Sequence, residues 1–356
     1  MKKILLVTGT RPEIIKLAPI IKKIKNDMIF VHTGQHYDYN MSLQFIEELE
    51  LPSPDFKFKL TKREPTLQIS QIIKKINDVI KKINPAILCV QGDTNTVLGS
   101  SLAALKNKIP IAHVESGLRS HDWRMQEEHN RIMVDHISDL LFAATANAKK
   151  SLINENVHGK IFVTGNTVID AIENYLPTSL KKSKIETPSE FILTTLHRAE
   201  NIDNAKTLSN LCNAIIKSPI PIIFPIHPRT KSNLKKLNLY DLLKKSKNVT
   251  LISPVGYFDF LYLMKSCKFI ITDSGGIQEE VTSPSIKKFA LVVRKTTDRP
   301  ESVKSKFAKV IGTNKENIIS EIHKTNNSKL KLPRNSPYGD GHSSDQILSL
   351  IYQYLN

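Results

Sequence analysis

Thr272-Asp273-Ser274-Gly275-Gly276-Ile277-Gln278-Glu279-Glu280 follows the apolar run Phe269-Ile270-Ile271 and reads as a strand turning directly into a helix. In such a turn two glycines let a ligand approach the backbone, and the open N–H groups and dipole of the helix start favour an anion. Glu280, one turn on, lies on the Gly276 face, where a carboxylate can accept hydrogen bonds from a ribose diol. The same residues also fit an ordinary Ser-Gly-Gly turn in which Glu279 and Glu280 complement the helix dipole. The rest of the chain has to decide between the two.

Outward from this stretch, short apolar runs recur between longer amphipathic segments. One set is Ile4–Val7, Met28–Val31, Ile87–Val90, Ile109–Ala112, Leu140–Phe142 and Ile161–Val163; a second is Phe191–Leu193, Ile220–Phe224, Val249–Ile252, Phe269–Ile271, Ala290–Val293 and Val310–Ile311. Buried-type strands alternating with helices such as Gln68–Ile83 and Thr207–Lys217 predict parallel sheets covered on both faces. The expected fold class is therefore α/β, with two doubly wound Rossmann-like domains facing an interdomain cleft. The boundary is expected near Asn166–Asp170, dividing a domain over 1–168 from one over 169–341. The Pro/Gly-rich stretch Asn335–Gly341 then precedes a last helix within 342–356. Ligands of such sheets bind at the carboxyl ends of the strands.

Composition narrows the function classes. A chain of 356 residues exceeds what one core usually supports, and 40% hydrophobic with 24% charged residues is ordinary for a globular protein. No apolar run approaches a membrane span, and Thr8-Gly9-Thr10-Arg11-Pro12 cuts the first one short, so the N-terminus reads as a strand of a cytoplasmic protein. Cys89, Cys212 and Cys267 each sit in an apolar segment, as buried free thiols do. The net charge of +17 is carried largely by lysine pairs along helices, such as Lys74-Lys75 and Lys81-Lys82, which are solvated faces rather than a nucleic-acid module.

Polar residues with chemical potential collect where strands end. Gly9-Thr10-Arg11-Pro12-Glu13 occupies the position of a dinucleotide fingerprint but lacks Gly-x-Gly-x-x-Gly, which disfavours bound NAD. Arg11 and Lys16 there suit a phosphate or a sugar nucleotide, or else a surface ion pair. Asp93 in Gln91-Gly92-Asp93-Thr94 is an acid at a strand end or simply an N-cap. Glu115 in His113-Val114-Glu115-Ser116-Gly117 and Glu127 in Gln126-Glu127-Glu128-His129-Asn130-Arg131 add two further acids on successive loops. Three acids in that arrangement can flank one sugar carbon, each worth roughly 10²–10⁴-fold by positioned proton transfer. His197, beside Arg198 just past a strand, can meet a diphosphate and assist its departure, and His227 is a weaker candidate of the same kind. His113-x-Glu115 lies along a strand with no third ligand at metal-site spacing, so no metal is expected.

Taken in order, Gly9–Glu13, Gly92-Asp93-Thr94, His113-Val114-Glu115, Glu127-Glu128-x-Asn130-Arg131, Thr164-Gly165-Asn166-Thr167, His197-Arg198 and Asp273–Glu280 resemble the non-hydrolysing UDP-N-acetylglucosamine 2-epimerases. Thr296–Glu301 and Pro337-Tyr338-Gly339-Asp340-Gly341 carry the resemblance to the C-terminus. It implies a glycosyltransferase B-like fold, a homodimer, a terminal helix returning to the first domain, and interconversion of UDP-GlcNAc and UDP-ManNAc without NAD or metal. By motif match it makes Asp93, Glu115 and Glu127 the acid/base set and puts His197 at the leaving diphosphate. Arg11, Lys16, Ser274, Gly275, Gly276, Glu280 and Arg299 would hold UDP, and Gln35 and His36 fit the pattern of an allosteric second pocket. The chain departs from the family at three points: Gln126 replaces a proline, Val281–Phe289 is two residues longer and lacks a helix-ending glycine, and Lys304-Ser305-Lys306-Phe307 replaces an Ala-Gly-Thr type turn. Other functions considered are a hydrolysing 2-epimerase, a glycosyltransferase of the same architecture and a silent sugar-nucleotide sensor.

Overall fold

The apolar runs form two separate parallel sheets in the computed structural model, which describes residues 2–24, 26–35, 39–62 and 64–356, the side chains of 39–43 excepted. The chain divides into two compact units, Met1–Ala171 with Tyr338–Asn356, and Ile172–Pro337.

The first unit runs β1 (Ile4–Thr8), α1 (Arg11–Lys23), β2 (Met28–His32), α2 (Tyr39–Glu48), β3 (Phe56–Lys57), α3 (Pro65–Ile83), β4 (Ile87–Gln91), α4 (Asn95–Lys106) and β5 (Ile111–Ser116). It continues through α5 (Gln126–His136), β6 (Leu140–Ala143), α6 (Ala146–Asn154), β7 (Lys160–Val163) and the start of α7 (Thr167–Lys182). Its sheet order is β3-β2-β1-β4-β5-β6-β7, so the strand order reverses between β1 and β4. Helix α1 starts as its sequence dictates: Thr10 and Glu13 form a capping box, and Pro12 stands where no amide donor is needed. Leu5, Val7, Leu88 and Val90 of the strands bury against Ile72 and Ile76 of α3 and Val97 of α4, each such side chain stabilising by roughly 1.5–3 kcal/mol.

The second unit takes up α7 at Ile172. It proceeds through β8 (Ile192–Thr195), α8 (Ala199–Ile202), α9 (Ala205–Ile216), β9 (Ile222–Pro225), α10 (Pro228–Lys236), α11 (Leu239–Lys245), β10 (Val249–Ile252), α12 (Tyr257–Ser266) and β11 (Phe269–Thr272). Then come α13 (Gly275–Glu280), β12 (Ala290–Val292), α14 (Pro300–Lys304), β13 (Ala308–Val310) and α15 (Lys315–Asn327). The order β10-β9-β8-β11-β12-β13 reverses between β8 and β11. Ile192, Phe224, Phe269 and Leu291 pack with Leu208 and Leu211 of α9 and Ile318 and Ile322 of α15.

The last helix, α16 (Ser343–Leu355), belongs to the first unit. Asp170 of α7 caps it by accepting from Ser343 N at 3.2 Å and Ser344 N at 2.7 Å, and Lys23 of α1 reaches Asp345 at 2.6 Å. Two of the motifs meet here. Asn166 N donates to Tyr338 O at 2.7 Å, and a Cβ on Gly165 (φ +84°) would stand 2.5 Å from Ser343 Oγ. The close approach is what requires glycine.

Three details differ from the expected elements. The edge strand β3 is only two residues long, too short for periodicity to reveal. Strand β5 begins at Ile111, three residues after a left-handed Lys108 (φ +57°), and runs on to Ser116. The last strand is Ala308–Val310 rather than Val310–Ile311, with the buried Phe307 just ahead of it in the core.

Candidate functional site

In both sheets the reversal of strand order leaves a crevice at the carboxyl ends of the strands, where doubly wound folds bind ligands. In the first unit it opens after β1 and β4, and in the second after β8 and β11. The expected site residues divide between these two places.

In the first unit Asp93 and Glu115 stand at the ends of neighbouring strands, β4 and β5. Asp93 pairs with Arg131 Nη2 of α5 at 2.6 Å, and its carbonyl accepts from Asn130 Nδ2 at 2.8 Å. Glu115 is 9% exposed, and its Oε2 faces three donors: Lys16 Nζ at 2.5 Å, Gln91 Nε2 at 3.0 Å and Asn166 Nδ2 at 3.4 Å. Its backbone is left-handed at φ +67°, where β5 shifts register between Val114 and Ser116. A non-glycine residue there costs roughly 1–2 kcal/mol, strain of the kind that gathers at functional sites.

The acidic pair on α5 splits into two environments. Glu127 is exposed in the first turn, whereas Glu128 is buried and accepts from Ser120 N, Ser120 Oγ and His121 N at 2.9–3.1 Å. Arg131 joins Glu128 at 2.9 Å and so bridges it to Asp93. Those hydrogen bonds and Arg131 outweigh burial and hold the Glu128 carboxyl below the usual range. Without the proline expected at 126, the helix entry is thus fixed by Glu128.

Arg11 opens α1 and stacks over the Phe45 ring at 4.5 Å, while Lys16, one and a half turns on, is committed to Glu115. Gln35 accepts from Thr96 N and Thr96 Oγ1, both at 2.8 Å, which ties it to the start of α4; His36 lies outside the described residues. Glu13 is buried, accepting from Gly9 N at 2.5 Å and Thr10 N at 3.2 Å. Burial pushes its carboxyl up to about 7 despite those bonds and Thr94.

In the second unit Asp273 is fully buried at the end of β11 and holds the loop after β8. It accepts from His197 N, Arg198 N and Asn201 Nδ2, each at 3.1 Å, and its Oδ1 lies 3.3 Å from His197 Nδ1. The imidazole of His197 is 42% exposed. Burial of the rest, then Arg198, His227 and Arg294, bring its pKa below the ordinary 6.5 against the pull of Asp273. His227 instead caps α10, accepting from Arg229 N at 3.3 Å.

Ser274 is the N-cap of α13. A Cβ on Gly276 would have nothing nearer than Glu280 Oε1 and Ser274 Oγ at 3.9 Å, so Glu280 lies over an open Gly276 face. Gly275 is tighter, with Asp298 Oδ1 3.2 Å from its notional Cβ. Asp298 gathers three guanidiniums: Arg294 at 2.9 Å, Arg299 at 3.2 Å and Arg198 at 3.7 Å. Together they overcome burial and bring its carboxyl down to about 2. Arg299, expected to hold a ligand, is itself 6% exposed and pairs with the buried Glu279 at 2.5 Å.

The longer segment after Glu280 is a turn that buries Val281, Thr282, Ser283 and Ile286. Glu173 of α7 accepts from Ser283 Oγ at 2.6 Å, Ser285 N at 3.0 Å and Ser285 Oγ, and Lys287 takes the left-handed conformation (φ +47°) that a helix-ending glycine usually supplies. Lys306 (φ +62°) does the same after α14. Sequence reading missed Glu173, Asn166, Gln91 and the structural work of Asp273. Gln91 and Asn166 stand inside the motifs Gln91–Thr94 and Thr164–Thr167 without a role of their own, and Glu13 carried a local signal in the Thr10-x-x-Glu13 capping box.

The family model of UDP-N-acetylglucosamine 2-epimerases matches residues 20–352. The chain belongs to the UDP-N-acetylglucosamine 2-epimerase family. Among members of that family, the UDP-N-acetylglucosamine 2-epimerase of Methanocaldococcus jannaschii is 42% identical over 98% of either chain. The crystal structure of that organism's UDP-GlcNAc 2-epimerase in complex with UDP-GlcNAc and UDP matches with a TM-score of 0.87, covering 99% of this chain and 100% of the other. The UDP-2,3-diacetamido-2,3-dideoxy-D-glucuronate 2-epimerase of Pseudomonas aeruginosa is 35% identical over 98% of this chain and 99% of its own. Epimerase-family strands and helices therefore account for the whole fold. Among the described residues, no helix is long and apolar enough to cross a membrane.

Proposed function

We propose that this chain is a non-hydrolysing UDP-N-acetylglucosamine 2-epimerase that interconverts UDP-GlcNAc and UDP-ManNAc. The observation that carries the reading is full-length similarity, at 42% identity, to a 2-epimerase whose crystal structure holds UDP-GlcNAc and UDP. The pairing of Asp93 and Glu115 at adjacent strand ends supports it.

The C2 proton of the sugar is not adjacent to a carbonyl, so its removal must be coupled to loss of UDP. A carboxylate takes the proton, the C2–H electrons form the C1=C2 bond of a 2-acetamidoglucal, and the C1–O bond breaks with its electron pair on the β-phosphate oxygen. UDP then adds back at C1 while a carboxylic acid protonates C2 from the other face. Asp93, Glu115 and Glu127 share these proton transfers, with Lys16, Gln91 and Asn166 orienting Glu115 and Arg131 orienting Asp93. Donor bonds to one carboxylate oxygen favour its ionised form, as a base requires.

In the second unit Ser274, Gly275 and Gly276 contact the diphosphate and Glu280 the ribose, with His197 at the departing oxygen. Arg11 meets the phosphates from α1. Arg299 acts through Glu279 and Asp298, fixing α13 rather than presenting a cation of its own. The working assembly in this reading is a cytoplasmic homodimer, and Gln35 with His36 marks a second, regulatory sugar-nucleotide pocket.

The test is product identity. With UDP-GlcNAc, proton NMR should show UDP-ManNAc approaching a fixed ratio with substrate; free ManNAc and UDP in equal amounts would make the enzyme a hydrolase. UDP-2,3-diacetamido-2,3-dideoxy-glucuronate serves as the second substrate, since a relative of similar identity is named for it.

A further inference from the structure

Beneath the two acid-bearing loops of the first unit lies a group of charges that no step above uses. His113 of β5 and Asp135 of α5 are both fully buried. The imidazole spans two acceptors: Nδ1 is 2.7 Å from Asp135 Oδ1, and Nε2 is 2.8 Å from the carbonyl of Gly92. Asp135 Oδ2 accepts from Gly117 N at 3.0 Å and pairs with Arg119 at 2.8 Å. Arg119 in turn grips Glu155 at 2.6 and 2.8 Å, which brings the group to two cations and two carboxylates.

The positions of the two backbone anchors matter more than the pairs themselves. Gly92 precedes Asp93, and Gly117 follows Glu115 by two residues. Both glycines are left-handed, at φ +86° and φ +77°, and a Cβ on Gly117 would fall 2.3 Å from Ala148 O of α6. A carbonyl only accepts, and Asp135 is a carboxylate: burial pushes it up, but His113 and Arg119 outweigh burial and hold it below the ordinary range. Both ring nitrogens thus point at acceptor atoms, an arrangement that an imidazolium satisfies with one donor for each.

Burying such ions is costly, and well-packed apolar residues would often stabilise a core better. Stability alone gives no reason for the group. What it does achieve is to tie the loop after β4 and the loop after β5 to one rigid carboxylate.

We infer that His113 and Asp135 are the positioning pair of the acid–base site, a buried imidazolium–carboxylate unit that holds the backbone under both Asp93 and Glu115. This deepens the epimerase reading and rests on it. Neither residue is a catalytic group, since both lie below the loops and are closed to solvent.

The experiment compares wild type with Asp135→Asn and His113→Gln, measuring kcat, KM and UDP affinity, with urea midpoints taken to match folded fractions. Misplacement of reacting groups by about an ångström costs on the order of 10²-fold, so kcat should fall by roughly 10- to 100-fold. KM and UDP affinity should stay within about threefold, because binding groups are largely elsewhere. His113→Gln keeps a donor for Gly92 O and should be the milder. In ¹⁵N-histidine-labelled wild type, His113 should show protons on both ring nitrogens, protected from exchange. Variants that fold yet retain full kcat, or a neutral His113 tautomer, would overturn the inference. The NMR result decides it even where a variant fails to fold. Inactive wild type on any UDP-sugar would instead remove the epimerase reading, and the imidazolium assignment would still be read from NMR.

Discussion

Lys16 Nζ stands 2.5 Å from Glu115 Oε2, across 99 positions of sequence, with side-chain exposures of 14% and 8%. The cation of α1 that resembled a phosphate ligand is therefore first the partner of a candidate acid. Replacing Glu115 by Gln should lower kcat/KM by ~10²–10⁴-fold, the usual worth of positioned proton transfer. Lys16→Met should cost about 10²-fold, and the double variant should be little worse than Glu115→Gln alone, because residues acting as one unit are not additive. Additive losses would show that Lys16 serves a different step.

His197 sits below its ordinary pKa because of burial and the neighbouring Arg198, His227 and Arg294. Neutral at about pH 7, it gains a reason to protonate once a diphosphate adds negative charge nearby. UDP binding should thus take up a proton, and affinity should rise as pH falls from the neutral range toward the ordinary histidine value of 6.5. Calorimetry in buffers of different ionisation enthalpy measures the uptake. His197→Asn should lose it, and the difference from wild type separates the imidazole from the nucleotide's own phosphate.

Glu13 shows the opposite displacement, a carboxyl raised by burial from 4.5 to about 7. A raised folded pKa means stability that is complete below about 4.5 and lost as pH rises through about 7. Relative to wild type, Glu13→Gln should therefore gain stability across that window, by up to about 3 kcal/mol at pH 8. The amide oxygen can still accept from Gly9 N and Thr10 N. Urea midpoints of the two proteins at pH 5 and 8 check it; a constant difference would mean Glu13 does not titrate there.

Lys306 and Lys287 are exposed residues held left-handed, at φ +62° and φ +47°. Each pays roughly 1–2 kcal/mol of strain, offset in a glycine variant by about 0.5–1 kcal/mol of extra chain entropy. Lys306→Gly should consequently stabilise by about 0.5–1 kcal/mol with turnover unchanged. A lower denaturation midpoint would mean the lysine side chain makes a compensating contact.

These residues also mark where sequence reading stops. Buried parallel strands read as continuous apolar runs, so Ile87–Val90 and Phe269–Ile271 are visible as strands, and with them the strand ends bearing Asp93, Glu115, His197 and Ser274. Strand β3 was not, since two edge residues carry no period. Left-handed lysines contradict local preference and are imposed by the buried Phe307 and by Glu173 with its serines. Neither the His113–Asp135 pair, 22 residues apart, nor the Lys16–Glu115 pair leaves a trace in spacing, because strand and helix geometry bring them together only once the sheet exists. Arg299 illustrates the converse: its motif was legible, but its burial against Glu279 was not.

Epimerisation by elimination of UDP and re-addition requires solvent-exchanging acids to deliver the C2 proton. Incubation with UDP-GlcNAc in D₂O, followed by proton NMR, tests it most directly. UDP-ManNAc should carry deuterium at C2, and deuterium should appear at C2 of the recovered UDP-GlcNAc as well. UDP-ManNAc that keeps its original C2 proton would contradict it.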